Sequence, residues 1–412
     1  MWVLYPILFK YSKRSPSCDI IWIILFDAEL GGETMIHLLI KDLQPGMVAA
    51  QSVYDRKGEG ILPRGTALTQ AHIDRLAKMD VVELSVMSAD PSVSVSPPAD
   101  ILEEDTRADA IRKVYDTFHN LEETGELDPS ALMPTAEAIL TNALENRENL
   151  VQLTDIRMHD DYTFGHSVNV ALLSAILGSL CDISSSDLIT LVMGGLLHDI
   201  GKLIIPPDIL TKSEQLSSRD LYIIRMHPEA GRVKLNTLSI PSAPMLAVIA
   251  GQHHEHIDGR GYPDHLAGDQ IHRFSRIVAI ADVYDALTSN RVYKPAYRPH
   301  IAYKIMTKCS PGQFDERLLK LFFDNVAIYP VGTVLRTTMG YAIVKEVKFG
   351  YTKTPTVCVF GNLAGEALEH PFTINLSKCA PDIIVSVLEE LELIPLMFRM
   401  HVNPAQFLNE KE

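Results

Sequence analysis

Cysteine is scarce and unpatterned: Cys18, Cys181, Cys309, Cys358 and Cys379 are scattered over 412 residues with no CxxC spacing. That excludes a disulfide framework, and the thiols read as buried groups of a reducing compartment, which points to the cytoplasm. Positive charge is in deficit as well, with 37 Lys and Arg against 52 Asp and Glu and a formal net charge of −15. A chain without a basic field is a poor general binder of polymeric nucleic acid. An anionic substrate would therefore need local cations or metal ions. Long apolar runs are lacking too. Trp2 to Phe9 and Ile20 to Phe26 are broken by Lys10, Lys13, Arg14, Pro16 and Asp19, and neither approaches the ~20 apolar residues that cross a bilayer. This first segment also lacks the basic start and small-residue cleavage site of a signal peptide. Residues 1–34 are expected to be a non-native extension before a start at Met35, with a short amphipathic membrane contact as the alternative.

What is present is ordinary globular composition, 47% hydrophobic and 22% charged, in a chain long enough for two or three domains. Residues 35–88 read as a small α+β accessory domain. His37 to Ile40 and Val48 to Tyr54 suggest strands, and Thr69 is a good N-cap for a helix over Gln70 to Lys78. Residues 89–100, with Ser94-Val95-Ser96-Pro97-Pro98, read as a linker. Residues 101–330 are strongly helical, with amphipathic runs over Ile101–Leu121, Pro134–Met158, His166–Leu180, Ser186–His198, Arg219–Leu235, Pro244–His254, Arg273–Asn290, Ile301–Lys308 and Phe314–Phe323. Helices in succession with short loops predict an all-α bundle, whose core is a usual place for metal sites. After Tyr329-Pro330 the pattern changes to alternation, so residues 331–412 are expected to form a small β-containing appendage packed on the bundle. Asp382 to Leu391 is left as a short helix or strand. The fold class is therefore mainly α.

Within the helical part, His198-Asp199 closes the apolar run Leu191 to Leu197 and is followed by Ile200-Gly201-Lys202. A His–Asp pair beside such a helix is costly to bury unless paired or bound to metal. Further candidate ligands stand on neighbouring helices: His166, His227 in Met226-His227-Pro228, the adjacent His253 and His254, and Asp282. Neutral imidazole is the commonest protein metal ligand. Beyond His253-His254-Glu255, the stretch Asp258-Gly259-Arg260-Gly261-Tyr262-Pro263 predicts a tight loop in which glycine admits close backbone approach and proline stiffens the turn. His256 is assigned no role.

Taken together, His198-Asp199-Ile200-Gly201-Lys202, His253-His254-Glu255 with Gly261-Tyr262-Pro263, and Ala281-Asp282 with Asp285-Ala286-Leu287-Thr288, Arg291 and Tyr293-Lys294 resemble the HD-GYP family of cyclic di-GMP phosphodiesterases. This is a branch of the HD metal-dependent phosphohydrolases. The resemblance runs from about residue 157 to 323. The module at 36–87, with Leu43-Gln44-Pro45-Gly46-Met47, resembles a domain of unknown function that precedes HD-GYP in many bacterial proteins.

The resemblance implies two divalent metal ions, iron or manganese, bridged by Asp199. His166, His198 and Asp282 would hold one ion, and His227, His253 and His254 the other. A third ion in some members needs a glutamate where this chain has Tyr162, which favours two here, although Asp160 and Asp161 lie close. Two ions ~3.5–4 Å apart lower the pKa of a water and clamp a phosphodiester for in-line attack. Lys202 would offset charge on the phosphate or assist the leaving oxygen. Arg291 and Lys294 would contact substrate phosphates, and Gly261, Tyr262 and Pro263 would wall the substrate side. The expected activity is hydrolysis of cyclic di-GMP to pGpG, and on to GMP, in bacterial second-messenger signalling. The rivals are an HD hydrolase of another cyclic dinucleotide, and a nucleotide-binding or interaction module with little catalysis, in which residues 36–87 recruit a protein partner or a second copy.

Overall fold

The computed structural model describes residues 34–50, 53–54, 60–79, 83–88, 102–146, 162–210, 212, 215–289, 296–380, 382–388 and 390–408. The expected extension (except Thr34), the linker at 89–100, and Asp160, Asp161, Arg291, Tyr293 and Lys294 lie outside them.

The first elements are β1 (Thr34–Leu39), β2 (Val48–Ala49), β3 (Val53–Tyr54), β4 (Gly60–Leu62), α1 (Gln70–Lys78) and β5 (Glu83–Ser88). Thr69 caps α1, its hydroxyl accepting the His72 amide at 3.2 Å. Strand β5 pairs antiparallel with both β1 and β2. Its Leu84 and Val86 alternate into a small core with Leu43, Leu62, Ile73 and Leu76. Thr34 pairs with Ser88, so the strand starts one residue before Met35.

The bundle follows: α2 (Glu104–Thr124), α3 (Met133–Glu145), α4 (Tyr162–Ser179), α5 (Ser185–Leu197), α6 (Pro207–Leu210), α7 (Ser218–Ile224), α8 (His227–Asn236), α9 (Ala243–Gln252), α10 (Arg273–Thr288), α11 (Pro299–Lys304) and α12 (Glu316–Asn325). Helix α4 is buried on almost every side, from Val168 through Leu177, as befits a helix apolar all round at the centre of a core. Helices α5 and α10 pack against it, with α9 against both.

The chain departs from its periodicity in three places. The run expected to be one helix over Arg219–Leu235 is two, because Pro228 occupies the first turn of α8, where a missing amide costs nothing. Helix α3 ends at Glu145 rather than continuing towards Met158, and residues 147–161 lie outside the description. The helix expected over Ile301–Lys308 runs as α11 and then widens into a π-turn at Ile305–Cys309.

Beyond Pro330 lie β6 (Val334–Thr337), β7 (Gly340–Glu346), β8 (Thr356–Gly361), β9 (Ala367–Asn375), β10 (Ile384–Val387) and α13 (Glu390–Met400). They form an antiparallel sheet in the order β10-β6-β7-β8-β9. Residues 382–391 thus divide into a strand and the start of a helix. The polar strand β9, which alternation alone does not single out, carries Pro371 and is tolerated at the sheet edge because no ladder donor is needed on its open side. The appendage packs on the bundle as expected: Lys353 Nζ donates to Asp324 Oδ1 at 3.1 Å and lies 5.6 Å from the Tyr303 ring centre. The Thr352 hydroxyl donates to the Phe323 carbonyl. No described helix is long and apolar enough to cross a membrane.

Candidate metal centre

Three of the predicted histidines stand at helix ends and are oriented alike. His198 follows the last residue of α5, His227 opens α8 and His253 follows α9. Each sends Nδ1 back to the carbonyl three residues earlier: His198 to Gly195 at 2.8 Å, His227 to Ile224 at 2.7 Å and His253 to Ala250 at 2.8 Å. Since a carbonyl only accepts, the proton belongs on Nδ1 and Nε2 is left as a lone pair aimed inward. His166 reaches the same arrangement through a side chain, its Nδ1 lying 2.7 Å from Asp285 Oδ2. An outer partner that sets the tautomer in this way is the usual support of a ligating imidazole.

Asp199, 1% exposed, lies between them. Its Oδ2 is 3.2 Å from His198 Nε2 and 3.9 Å from His166 Nε2, while its Oδ1 is 3.3 Å from His227 Nε2 and 3.9 Å from His253 Nε2. One carboxylate thus offers one oxygen to each pair of imidazoles. Asp282 also touches both sides, with Oδ1 3.1 Å from His166 Nε2 and Oδ2 3.8 Å from His254 Nδ1. The ligand atoms of His166, His198 and Asp199 converge within 4.8 Å of one another, as do those of His227, His253 and His254.

Electrostatics mark the cluster as a cation site. Burial drives His227 down to about 4, His254 to about 3 and His253 well below the usual imidazole range. All three are therefore neutral near pH 7. Yet His227 Nε2 and His253 Nε2 are 3.2 Å apart, and neither has a proton to give the other. Two lone pairs at that distance repel each other, and a cation beside them would relieve the repulsion. Buried His198 Nε2 and Asp199 Oδ1 likewise make no hydrogen bond, an arrangement proteins rarely leave uncompensated. Burial opposes ionisation of Asp199 and Asp282, but their cationic and imidazole neighbours hold both carboxyls far below the ordinary value. Burial also depresses His166, but hydrogen bonds to Asp282 and Asp285 outweigh it and raise this imidazole to about 9. A proton there and the Lys202 ammonium, which donates to Asp199 Oδ2, supply the positive charge that the donor set calls for. Lys202 sits on the 3₁₀ turn Ile200–Ile204 with its side chain 26% exposed, turned in towards Asp199.

Two glycines permit the close packing around this centre. A Cβ on Gly201 would lie 2.0 Å from the His227 carbonyl oxygen, so the start of α8 rests directly on the turn after Asp199. A Cβ on Gly261 would lie 2.3 Å from the His256 nitrogen and 2.4 Å from Glu255 Cα, so the loop folds back on the end of α9. That loop is held by buried Glu255, whose carboxylate accepts the Asp264 amide at 2.7 Å and the Leu266 amide at 3.0 Å. The Tyr262 amide donates to the His254 carbonyl at 3.1 Å, and the Tyr262 ring stacks on His254 with centroids 4.9 Å apart. The guanidinium of exposed Arg225, in the break between α7 and α8, lies 5.3 Å from the centre of the Tyr262 ring. Burial pushes the Tyr262 phenol up, so it stays protonated at physiological pH.

All seven predicted ligands meet here, Lys202 lies at the edge, and Gly261, Tyr262 and Pro263 form the adjoining loop. Sequence reasoning assigned no role to Asp285, Asn169, Arg107, Glu255 or Arg225. Asp285 stands three residues after Asp282, and Asn169 three after His166, so helical spacing alone puts each on its neighbour's face. Arg107, 62 residues from Asn169, carries no such signal.

Residues 140–318 match the HD domain family. Over 310 residues the chain is 32% identical to a cyclic di-GMP phosphodiesterase of Pseudomonas aeruginosa, covering 72% of this chain and 74% of that protein. It is 33% identical over 172 residues to a cyclic di-GMP phosphodiesterase response regulator of Xanthomonas campestris pv. campestris, covering 42% of this chain and 46% of that protein. To a 3'3'-cGAMP-specific phosphodiesterase of Vibrio cholerae serotype O1 it is 39% identical over 145 residues, 35% of this chain and 31% of that protein. The chain thus spans less than half the length of the latter two. Among solved structures, an HDG"Y"P protein from Bdellovibrio bacteriovorus aligns with a TM-score of 0.45 at 18% identity, covering 71% of this chain and 99% of that one.

Proposed function

The chain belongs to the HD-GYP branch of the HD-domain family, and from that membership we propose that it is a metal-dependent phosphodiesterase that opens cyclic di-GMP to pGpG and cleaves this on to GMP. The observation that carries the reading is the pair of facing Nε2 lone pairs, His227 and His253, 3.2 Å apart beside an oxygen of Asp199 whose partner oxygen faces His198 and His166. Such a donor set fits two divalent cations. His166, His198 and Asp282 would hold one, His227, His253 and His254 the other, and Asp199 would join them. Mixed imidazole and carboxylate ligation suits iron or manganese, and Tyr162 at the extra-ligand position favours two ions over three. When bound, the pair supplies Lewis acidity to the phosphodiester and lowers the pKa of the attacking water.

The protein's own groups do the rest. The backbone carbonyls behind His198, His227 and His253 fix Nδ1 as the outward nitrogen of each ring and turn Nε2 towards Asp199, and the Asp285 carboxylate does the same for His166, whose remaining proton a bound cation would displace. Lys202 holds a proton-rich ammonium at the edge of the cluster, where it offsets charge on the phosphate or assists the departing oxygen. The Gly261-Tyr262-Pro263 loop walls the substrate side, with the protonated Tyr262 offering a ring face and a hydroxyl donor. Arg291 and Lys294 are assigned to the substrate phosphates, a fork for bidentate contact and a point charge.

Residues 35–88 are assigned as an accessory domain that engages a partner protein or a second copy, 89–100 as a linker, 101–330 as the catalytic domain and 331–412 as an appendage. The free thiols of Cys181, Cys358 and Cys379 suit a reducing cytoplasm, where a cyclic dinucleotide messenger would be met. Purified protein loaded anaerobically with iron or with manganese is incubated with cyclic di-GMP, and the products are separated. Appearance of pGpG or GMP supports the reading, and neither product with either metal overturns it. Because relatives specific for 3'3'-cGAMP also match, the same assay run on that nucleotide decides between the two substrates by kcat/KM.

A further inference from the structure

Behind His166 the hydrogen bonds continue across three helices and converge on one acceptor, the Asp285 carboxylate. Asp285 on α10 accepts His166 Nδ1 on Oδ2, and on Oδ1 it accepts Asn169 Nδ2 at 2.8 Å and the Ser289 hydroxyl at 2.9 Å. Asn169, one turn along α4 from His166, receives Arg107 Nη1 from α2 on its Oδ1 at 3.0 Å. Arg107, Asn169, Asp285 and His166 are 7%, 2%, 1% and 3% exposed. The order matters chemically. A guanidinium has only donors, so it fixes which end of the Asn169 amide is oxygen and turns the NH2 towards Asp285. Asp285, supplied with donors on Oδ1, keeps Oδ2 for the imidazole proton. His166 must then present Nε2 as its ligand atom. With the guanidinium gone, the buried Asn169 oxygen loses this donor and the amide is held only at its Asp285 end, so the support that sets the Asp285 carboxylate behind His166 is loosened.

We infer that Arg107 and Asn169 are positioning residues for the metal centre, which orient His166 through Asp285, and that the support of the site therefore extends to a helix outside the segment matched by the family. Helix α2 spans Glu104–Thr124, whereas the match begins at residue 140. It is pinned beside the start of α4 by edge-to-face contacts of Tyr115 and Phe118 with Phe164, which place Arg107 against Asn169. The inference rests on the reading of the cluster as a metal centre.

The test measures metal affinity without nucleotide. Full-length protein stripped of metal is titrated anaerobically with Mn(II), the free ion is read by electron paramagnetic resonance, and the thermal midpoint of the metal-free protein is recorded in parallel. Arg107→Met and Asn169→Leu are expected to weaken one class of Mn(II) site by about 10- to 100-fold, the usual effect of removing an outer partner. That class is the one lost in His166→Ala, and the other stays within twofold. Arg107→Lys, which keeps one donor, recovers part of the loss. Should the larger changes prevent folding, Asn169→Asp carries the test, since it keeps the volume and the partner of Arg107 and replaces the N–H that reaches Asp285 by a carboxylate oxygen that repels it. Affinities within twofold of wild type in the folded variants, with any loss confined to the metal-free midpoint, overturn the inference by showing that Arg107 and Asn169 only join helices. Wild-type protein that takes up no Mn(II) instead overturns the metal-centre reading on which it rests.

Discussion

Substituting Gly201 by Ala tests whether the position of His227 is set by the backbone turn after Asp199. The added Cβ would lie 2.0 Å from the His227 carbonyl oxygen and 2.6 Å from the Gly231 nitrogen, whereas real Cβ contacts essentially never fall below 3.0 Å. The start of α8 must therefore withdraw by roughly 1 Å, since both clashing atoms are backbone and no side chain can rotate aside. Overpacking of this kind costs ~1–3 kcal/mol, which a domain of this size survives folded. Function is less forgiving. Metal–ligand distances tolerate about 0.2 Å, and a 1 Å misplacement near reacting groups costs on the order of 100-fold in rate. The expectation is a folded protein with metal lost from the half of the site containing His227 and with kcat for cyclic di-GMP down about 100-fold. Metal content after anaerobic purification, single-turnover kinetics and a urea titration measure the three quantities separately. A variant with two bound metals and turnover within twofold of wild type refutes the link between turn and ligand. A variant that unfolds outright shows instead that the contact is chiefly structural, and Gly231→Ala, whose nearest contact is the softer 3.3 Å to Ala250 Cβ, then serves as the milder displacement of the same helix.

Three further outcomes are expected. Asp199→Ala removes the group between the two sets of imidazoles, so metal retention and turnover should both vanish; full activity in that variant sinks the assignment. Glu255→Gln loses one charge-assisted bond to the loop amides, and a destabilisation of ~1.5–3 kcal/mol with faster hydrogen exchange at Asp264 and Leu266 should follow; unchanged exchange there means the loop is held by other contacts. Because the Tyr262 phenol stays protonated, Tyr262→Phe should leave the pH–rate profile unchanged between pH 6 and 9, while Tyr262→Ala raises KM by removing the ring. A profile that shifts in Tyr262→Phe would make the phenol an acid or base in the reaction.

Much of the centre was legible because it is built from local pieces. His198-Asp199 follows an apolar helix, His253-His254 follows another, and His227-Pro228 opens a third, so identity and spacing alone nominate ligands at helix ends. The tautomers are local as well, since each of these three histidines is set by a carbonyl three residues back. The C-terminal sheet was only partly legible: β7 and β8 carry runs of apolar residues that read as strands, but β9 is a polar edge strand with a proline, whose pairing is decided by its neighbour. The break between α7 and α8 could be read only by giving Pro228 more weight than the apolar period around it.

The amino-acid sequence by itself determined which groups are able to bind a cation, which helices carry them, and the glycines that allow their close approach. Only the tertiary structure decided that the two oxygens of Asp199 face different pairs of imidazoles, that Asp282 touches both sides, that Lys202 turns in on Asp199, and that Arg107 stands behind His166. The physical reason is the range of the interactions. Caps, helix ends and i−3 carbonyl contacts lie within one turn of chain, whereas the meeting of α2, α4 and α10 depends on how a whole apolar core packs, and no residue on any one of those helices records where the others will lie.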